Sequence, residues 1–148
     1  MAIKIIHWGC RLFLAAMFIY AGYTKLDNEL QFAAAVEAYK ILPPGQVMWV
    51  VYVLPRFEVL LGIALLAGPW IRYSAAFTAA FLGFFILVML VTFLRGIEAD
   101  CGCFGIGERI SPRTLLRDSL FTFPAVFLAA QPWVVSRLSR GRRGQVAG

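Results

Sequence analysis

The sequence predicts an all-α membrane protein. The expected architecture is a four-helix transmembrane bundle with a short interfacial helix after the first span. Three observations carry this reading. Of 148 residues, 61% are hydrophobic and only 15% charged, against about 45–50% and about 25% in soluble domains. The mean hydropathy is +0.77, and the apolar residues come in runs long enough to cross a bilayer. A Gly-rich loop, Asp100-Cys101-Gly102-Cys103-Phe104-Gly105, separates the last two of these runs and places a Cys-Gly-Cys pair between spans three and four. One integral membrane domain, residues 1–148, accounts for the whole chain.

The first span is expected over about 6–26. Its outer end carries Tyr20, Tyr23, Thr24 and Lys25, side chains that sit at headgroup level and snorkel. Lys4 and Arg11 lie ahead of most of the run, as in a signal peptide, but no small-residue cleavage site follows it, so it reads as a retained helix. His7 reads as an interfacial residue and Cys10 as a small apolar filler. Phe32, Val36, Tyr39 and Leu42 then recur at roughly helical spacing. They predict the interfacial helix, ended by Pro43-Pro44-Gly45.

The second span, about 47–67, contains Pro55, Arg56 and Glu58. A charge at membrane depth is costly and normally faces the bundle interior with a partner. Arg56 and Glu58 lie about 200° apart around a helix, so each is expected to find its partner elsewhere. The third span, about 73–94, has no charge, and Ser74, Ala75, Ala76, Ala79, Ala80 and Gly83 would allow close helix contact. Ser111-Pro112 reads as an N-cap with Pro at the first helical position. It opens a fourth span over about 113–135, with Arg117 and Asp118 in its first two turns.

The net charge is +6, but Arg137, Arg140, Arg142 and Arg143 cluster in a tail over 136–148. A basic tail directly after an apolar run reads as a cytoplasmic anchor on anionic lipid, not as a nucleic-acid site. Lys4, Arg11, Arg72 and the tail share one side of a four-span chain. Both termini are therefore expected in the cytoplasm, and the cysteine loop outside.

An outside loop lies where disulfides persist. A ring closed by residues two apart is strained, and strained disulfides tend to be labile or catalytic. Thiol–disulfide exchange by Cys101 and Cys103 is the leading reading. The alternatives are capture of a soft metal such as copper or mercury by the same two thiolates, and a static structural clip in a scaffold protein. Lys25, Arg56, Glu58, Arg117 and Asp118 are expected to gather in a polar pocket opening outward, with Cys101 and Cys103 as its lid. The expected pairings are Glu58 with Lys25 and Asp118 with Arg56.

These residues resemble a family. The run from Arg11 to Lys25, then Phe32, Val36, Tyr39, Leu42-Pro43, Pro55, Glu58 and Gly62, looks like the DoxX-like membrane proteins. The Cys101–Gly105 loop, with Ser111 and Arg117-Asp118 after it, resembles the MauE branch, the methylamine-utilisation membrane proteins. The resemblance spans Arg11 to about Pro132. It implies a four-helix bundle in the bacterial inner membrane that assists maturation of a periplasmic redox enzyme of methylamine dehydrogenase type. It also implies a thioredoxin-like or secreted disulfide-containing partner, and, from the wider group, a quinone as a candidate electron partner. Whether the chain is itself a thiol–disulfide oxidoreductase or an accessory to one stays open, as does its oligomeric state, a homo-oligomer included.

Overall fold

The computed structural model describes residues 2–68, 70–101 and 109–146, with the backbone alone at 2–4, 44 and 131–146. In these residues five helices follow one another: α1 (Ala2–Asp27), α2 (Glu29–Ala38), α3 (Pro44–Ala67), α4 (Ile71–Leu94) and α5 (Pro112–Val146). Among the described residues there is no strand, only a single antiparallel bridge between Asp100 and Arg109. Among the described residues three helical stretches, Ile5–Asp27, Gly45–Ala67 and Ile71–Leu94, are long and apolar enough to cross a membrane.

The four long helices pack as a ring in chain order, α1 on α3, α3 on α4, α4 on α5 and α5 back on α1. Each presents a stripe of three- and four-residue spacing to the centre, as one face of a helix must. On α1 the buried positions are Arg11, Leu14, Ala15, Phe18, Ala21, Gly22 and Lys25; on α3 they are Val47, Val51, Pro55, Glu58, Leu61, Gly62 and Leu65. On α4 they include Ala75, Thr78, Met89 and Thr92, and on α5 Thr114, Asp118, Ala125 and Leu128. Most of the outward-facing side chains are large and apolar, Tyr52, Leu60, Phe84 and Phe123 among them. That distribution suits a lipid solvent and not water.

The tightest seam is between α1 and α3, and glycine makes it. A Cβ on Gly22 would stand 2.6 Å from the Pro55 carbonyl oxygen, and one on Gly62 would stand 2.9 Å from that of Ala15. Backbone cannot move aside as a side chain can. Gly22→Ala is therefore expected to lower stability by about 1–3 kcal/mol. Gly83→Ala, with open space around it, should cost nothing. Thermal unfolding of the two variants in detergent separates them; equal melting temperatures would refute the close seam. The small residues of the third span do less than expected: Ala76, Ala80 and Gly83 face outward, and Ala75 alone of that set is buried.

Helix ends differ from expectation in two places. The interfacial helix stops at Ala38, not at Pro43, because Lys40 takes a left-handed conformation at φ 51°. Pro44 instead opens α3, at the position where a missing N–H costs nothing. α5 runs on to Val146, through the segment expected to be a tail beyond the fourth span; after Pro132 no proline interrupts it. Arg11, expected only as one of the basic residues that mark the cytoplasmic side, donates from Nε to Leu65 O at 2.6 Å and from Nη2 to Leu66 O at 2.5 Å. It thereby satisfies two of the last carbonyls of α3, which no helix can pair internally.

Candidate functional site

Two caps set the site. α4 ends in a Schellman motif: Ile97 N–H bonds Thr92 O, Gly96 N–H bonds Phe93 O, and Gly96 sits at φ 66°, where glycine carries no Cβ penalty. α5 begins with a reciprocal cap: Thr114 N–H reaches Ser111 Oγ at 3.3 Å, and Ser111 N–H reaches Thr114 Oγ1 at 2.8 Å. This cap fixes the phase of α5. Thr114 and, one turn later, Asp118 then both fall on the buried stripe.

Between these caps the chain leaves α4, and its neck is closed by Ile110 N–H donating to Ala99 O at 3.0 Å. Cys101 lies just inside that neck. It is 1% exposed, and the Tyr39 hydroxyl at the end of α2 donates to its carbonyl at 3.1 Å. Its Sγ stands 3.5 Å from Asp118 Oδ2 and 3.3 Å from Met89 Sδ. A single S–H cannot serve both. The carboxylate is much the stronger acceptor, since a thioether sulfur accepts only weakly. Asp118 is also buried, and its Oδ1 accepts from Arg117 Nε at 3.2 Å.

Asp118 is the hinge of the arrangement. It also borders a cavity of about 30 Å³ that Lys25 and Glu58 share, with room for one or two water molecules. Lys25 Nζ lies 2.6 Å from both carboxylate oxygens of Glu58, the two side chains being 5% and 6% exposed. The remaining walls are apolar side chains of α1, α4 and α5. Phe81 and Phe85 of α4 form a partition: on their far side is a second, almost wholly apolar cavity of about 300 Å³, bordered also by Phe32, Tyr39 and Cys101.

The structure thus brings Lys25, Glu58, Asp118 and Cys101 together, and sets Arg117 beside Asp118. It does not bring in Arg56. That side chain is about half exposed, lies 3.6 Å over the Tyr52 ring, donates to Tyr52 O and reaches Glu29 at 3.8 Å. The expected Asp118–Arg56 pair is absent because Arg56 lies about 200° from Glu58 around α3, so only one of them can face the centre. Cys101 is likewise no outward lid; it is tucked in, a free thiol. Cys103 lies outside the described residues. Sequence reasoning missed Met89 and Thr114 as members of the site. The signal for Met89 was its place on the 75, 78, 82, 85, 89, 92 stripe of α4. Among the described residues no three His, Cys, Asp or Glu side chains cluster as metal ligands do.

This arrangement sits within a recognisable sequence. The family model for methylamine utilisation protein MauE matches residues 3–131. The chain belongs to the MauE family. It is 32% identical over 146 residues to the methylamine utilization protein MauE of Paracoccus denitrificans, covering 95% of this chain and 78% of that protein. It is 36% identical over 129 residues to the Paracoccus versutus MauE, covering 85% and 69%. The Methylophilus methylotrophus MauE is 33% identical over 132 residues, with 86% and 70% covered. No solved structure matches the chain significantly. The MauE match spans every site residue named above, and with three bilayer-length apolar helices it makes this a membrane protein.

Proposed function

We propose that this MauE-family protein is a membrane-embedded thiol-redox accessory of methylamine utilisation. Its Cys101 and Cys103 exchange disulfides with a thioredoxin-like or secreted partner during maturation of a periplasmic redox enzyme. In this reading the first part of α5 is the fourth span, both termini are cytoplasmic and the cysteine loop faces the periplasm of the inner membrane. The observation that supports it is the Cys101 thiol held against a buried carboxylate, at the neck of a loop that carries a second cysteine.

The burial of Cys101 divides the labour. A thiol 1% exposed cannot meet a partner disulfide directly. Cys103 is then the sulfur that attacks the partner, forming a mixed disulfide and releasing one partner thiol. Cys101 attacks Cys103 next: the Cys101–Cys103 bond forms, the bond to the partner breaks, and the partner leaves as its second thiol. The pair is oxidised by two electrons and the partner disulfide is reduced by two; the reverse sequence oxidises a partner dithiol. A quinone, if the pair hands its electrons on, would supply a two-electron acceptor. The apolar cavity bordered by Phe32, Tyr39, Phe81, Phe85 and Cys101 has the lining and about 300 Å³ of room for its ring.

The reduction potential of the pair tests this reading, by thiol alkylation and intact mass across a dithiothreitol series. A reversible couple above roughly −250 mV is expected for an exchange site, whereas a bond that stays closed below roughly −300 mV belongs to a structural clip. Met89 favours a second reading, since its thioether 3.3 Å from Cys101 Sγ adds a soft donor that copper(I) or mercury(II) would take. In that case no internal disulfide forms, and stoichiometric metal binding is lost in Cys101→Ser.

A further inference from the structure

Thiol exchange at an enclosed sulfur raises a question that accessible sulfur does not. The thiolate is the nucleophile, so the proton on Cys101 must leave before the sulfur can attack. At 1% exposure bulk water cannot take it. The only proton acceptors that count are those the fold itself supplies.

Asp118 is in place for this. Its Oδ2 lies 3.5 Å from Cys101 Sγ, an ordinary S–H to oxygen hydrogen bond, and it is itself 3% exposed. A carboxylate held there could be the end of the line. It need not be, because Asp118 also borders the cavity of about 30 Å³ that reaches Lys25 and Glu58. One or two waters in that space would link Asp118 to a second carboxylate and an ammonium. The walls around these polar groups are otherwise apolar, Phe81 and Phe85 among them. Among the described residues that line the cavity no other group can hold a proton, so such walls confine it to these three.

We propose that Asp118 is the proton acceptor for Cys101, and that the water-sized cavity between Asp118 and the Lys25–Glu58 pair is the proton's route onward. In the forward step the Cys101 S–H bond breaks, its proton passes to Asp118 Oδ2, and the thiolate electron pair forms the new S–S bond. The partner thiolate that leaves is protonated in turn, so protons balance as electrons do. Reversal returns the proton by the same path. Lys25 and Glu58 thus gain a role beyond holding α1 to α3. The purpose of the relay rests on the thiol-exchange reading; its geometry does not.

The test reads the proton itself. In full-length protein carrying Cys10→Ala and Cys103→Ser, Cys101 provides the sole S–H stretching band in the infrared, and its conversion to S–D after transfer into D2O gives the exchange rate. Asp118→Asn should move the band to higher frequency, as a weaker acceptor does, and slow the exchange by about a hundredfold, the low end of what a positioned proton acceptor contributes. Asp118→Glu should restore most of the rate. Ala21→Leu, which fills the cavity without substituting a charged residue, should slow exchange while leaving the band unmoved. If Asp118→Asn leaves both band and rate unchanged, Asp118 is not the acceptor and the proposal falls. An unchanged rate in a folded Ala21→Leu protein overturns the cavity as the route, and decides alone should Asp118→Asn fail to fold. A structural-clip potential together with Asp118-dependent exchange would sink the redox reading and leave the acceptor standing, so the two failures are distinguishable.

Discussion

Lys25→Met will destabilise the bundle by roughly 3–5 kcal/mol, the scale on which removing one member of a buried ion pair acts. The reason lies in what remains. Glu58 keeps its carboxylate inside α3's buried stripe with its 2.6 Å partner gone, and only a cavity of about 30 Å³ for water to replace it. Lys25 also stands 5.5 Å from the Phe32 ring, so the substitution loosens α2 as well. The pair itself is worth far less than either single loss suggests. Lys25→Met with Glu58→Leu should recover to within about 1 kcal/mol of the parent, since matched apolar replacement of a buried pair is often neutral or better. Denaturant unfolding of the four proteins in micelles closes this cycle. A single-variant loss below about 1 kcal/mol would mean that water reaches the bared Glu58 carboxylate freely.

That pair shows what was legible in the sequence. Positions 11, 14, 15, 18, 21, 22 and 25 form one helical stripe, and positions 47, 51, 55, 58, 61, 62 and 65 another. Lys25 and Glu58 fall on these stripes, so the periodicity that predicts the helices also predicts that these two charges point inward. The same periodicity, carried through, puts Arg56 off the stripe. Cost at membrane depth alone suggested that it faces inward too, but a long arginine escapes that cost by reaching back along its own helix, as Arg56 does to Tyr52 O.

The loop was less legible, for a physical reason. Helical phase says where a side chain in a helix points, and nothing of the kind governs a residue between helices. Cys101 is placed by long-range contacts: Tyr39 from α2, Met89 from α4 and Asp118 from α5. None of these has a local signature. The Ser111-Pro112 cap, by contrast, is local, and it was readable together with its consequence that Asp118 belongs to the first turns of α5. The misplaced end of α2 follows the same division. Pro43-Pro44 marks a break, but a break serves equally to end one helix or start another, and Lys40's backbone decided which.

Cys101→Ser will reduce disulfide exchange with a partner by about a hundredfold or more, the kind of loss that follows removal of a nucleophile, while Cys10→Ser will leave it intact. The contrast is sharper than a count of thiols. Cys10 packs with the Leu14, Leu65 and Leu128 cluster at the far end of the bundle, remote from the neck that holds Cys101 with Tyr39, Met89 and Ala99. In the proposed chemistry Cys101 performs the second attack, the one that releases the partner. Removing it should therefore do more than slow turnover: the mixed disulfide between Cys103 and the partner should accumulate, resolvable by mass on a non-reducing gel and dissolved by dithiothreitol. Serine is close in size to cysteine, and its hydroxyl can still donate to Asp118. The fold should thus survive with a melting temperature near the parent's. Loss of exchange with an intact fold and a trapped adduct assigns Cys101 the resolving step. Loss of exchange with no adduct would give Cys101 the first attack and require the neck at Asp100 and Arg109 to open. Full exchange in Cys101→Ser would remove the dithiol mechanism altogether.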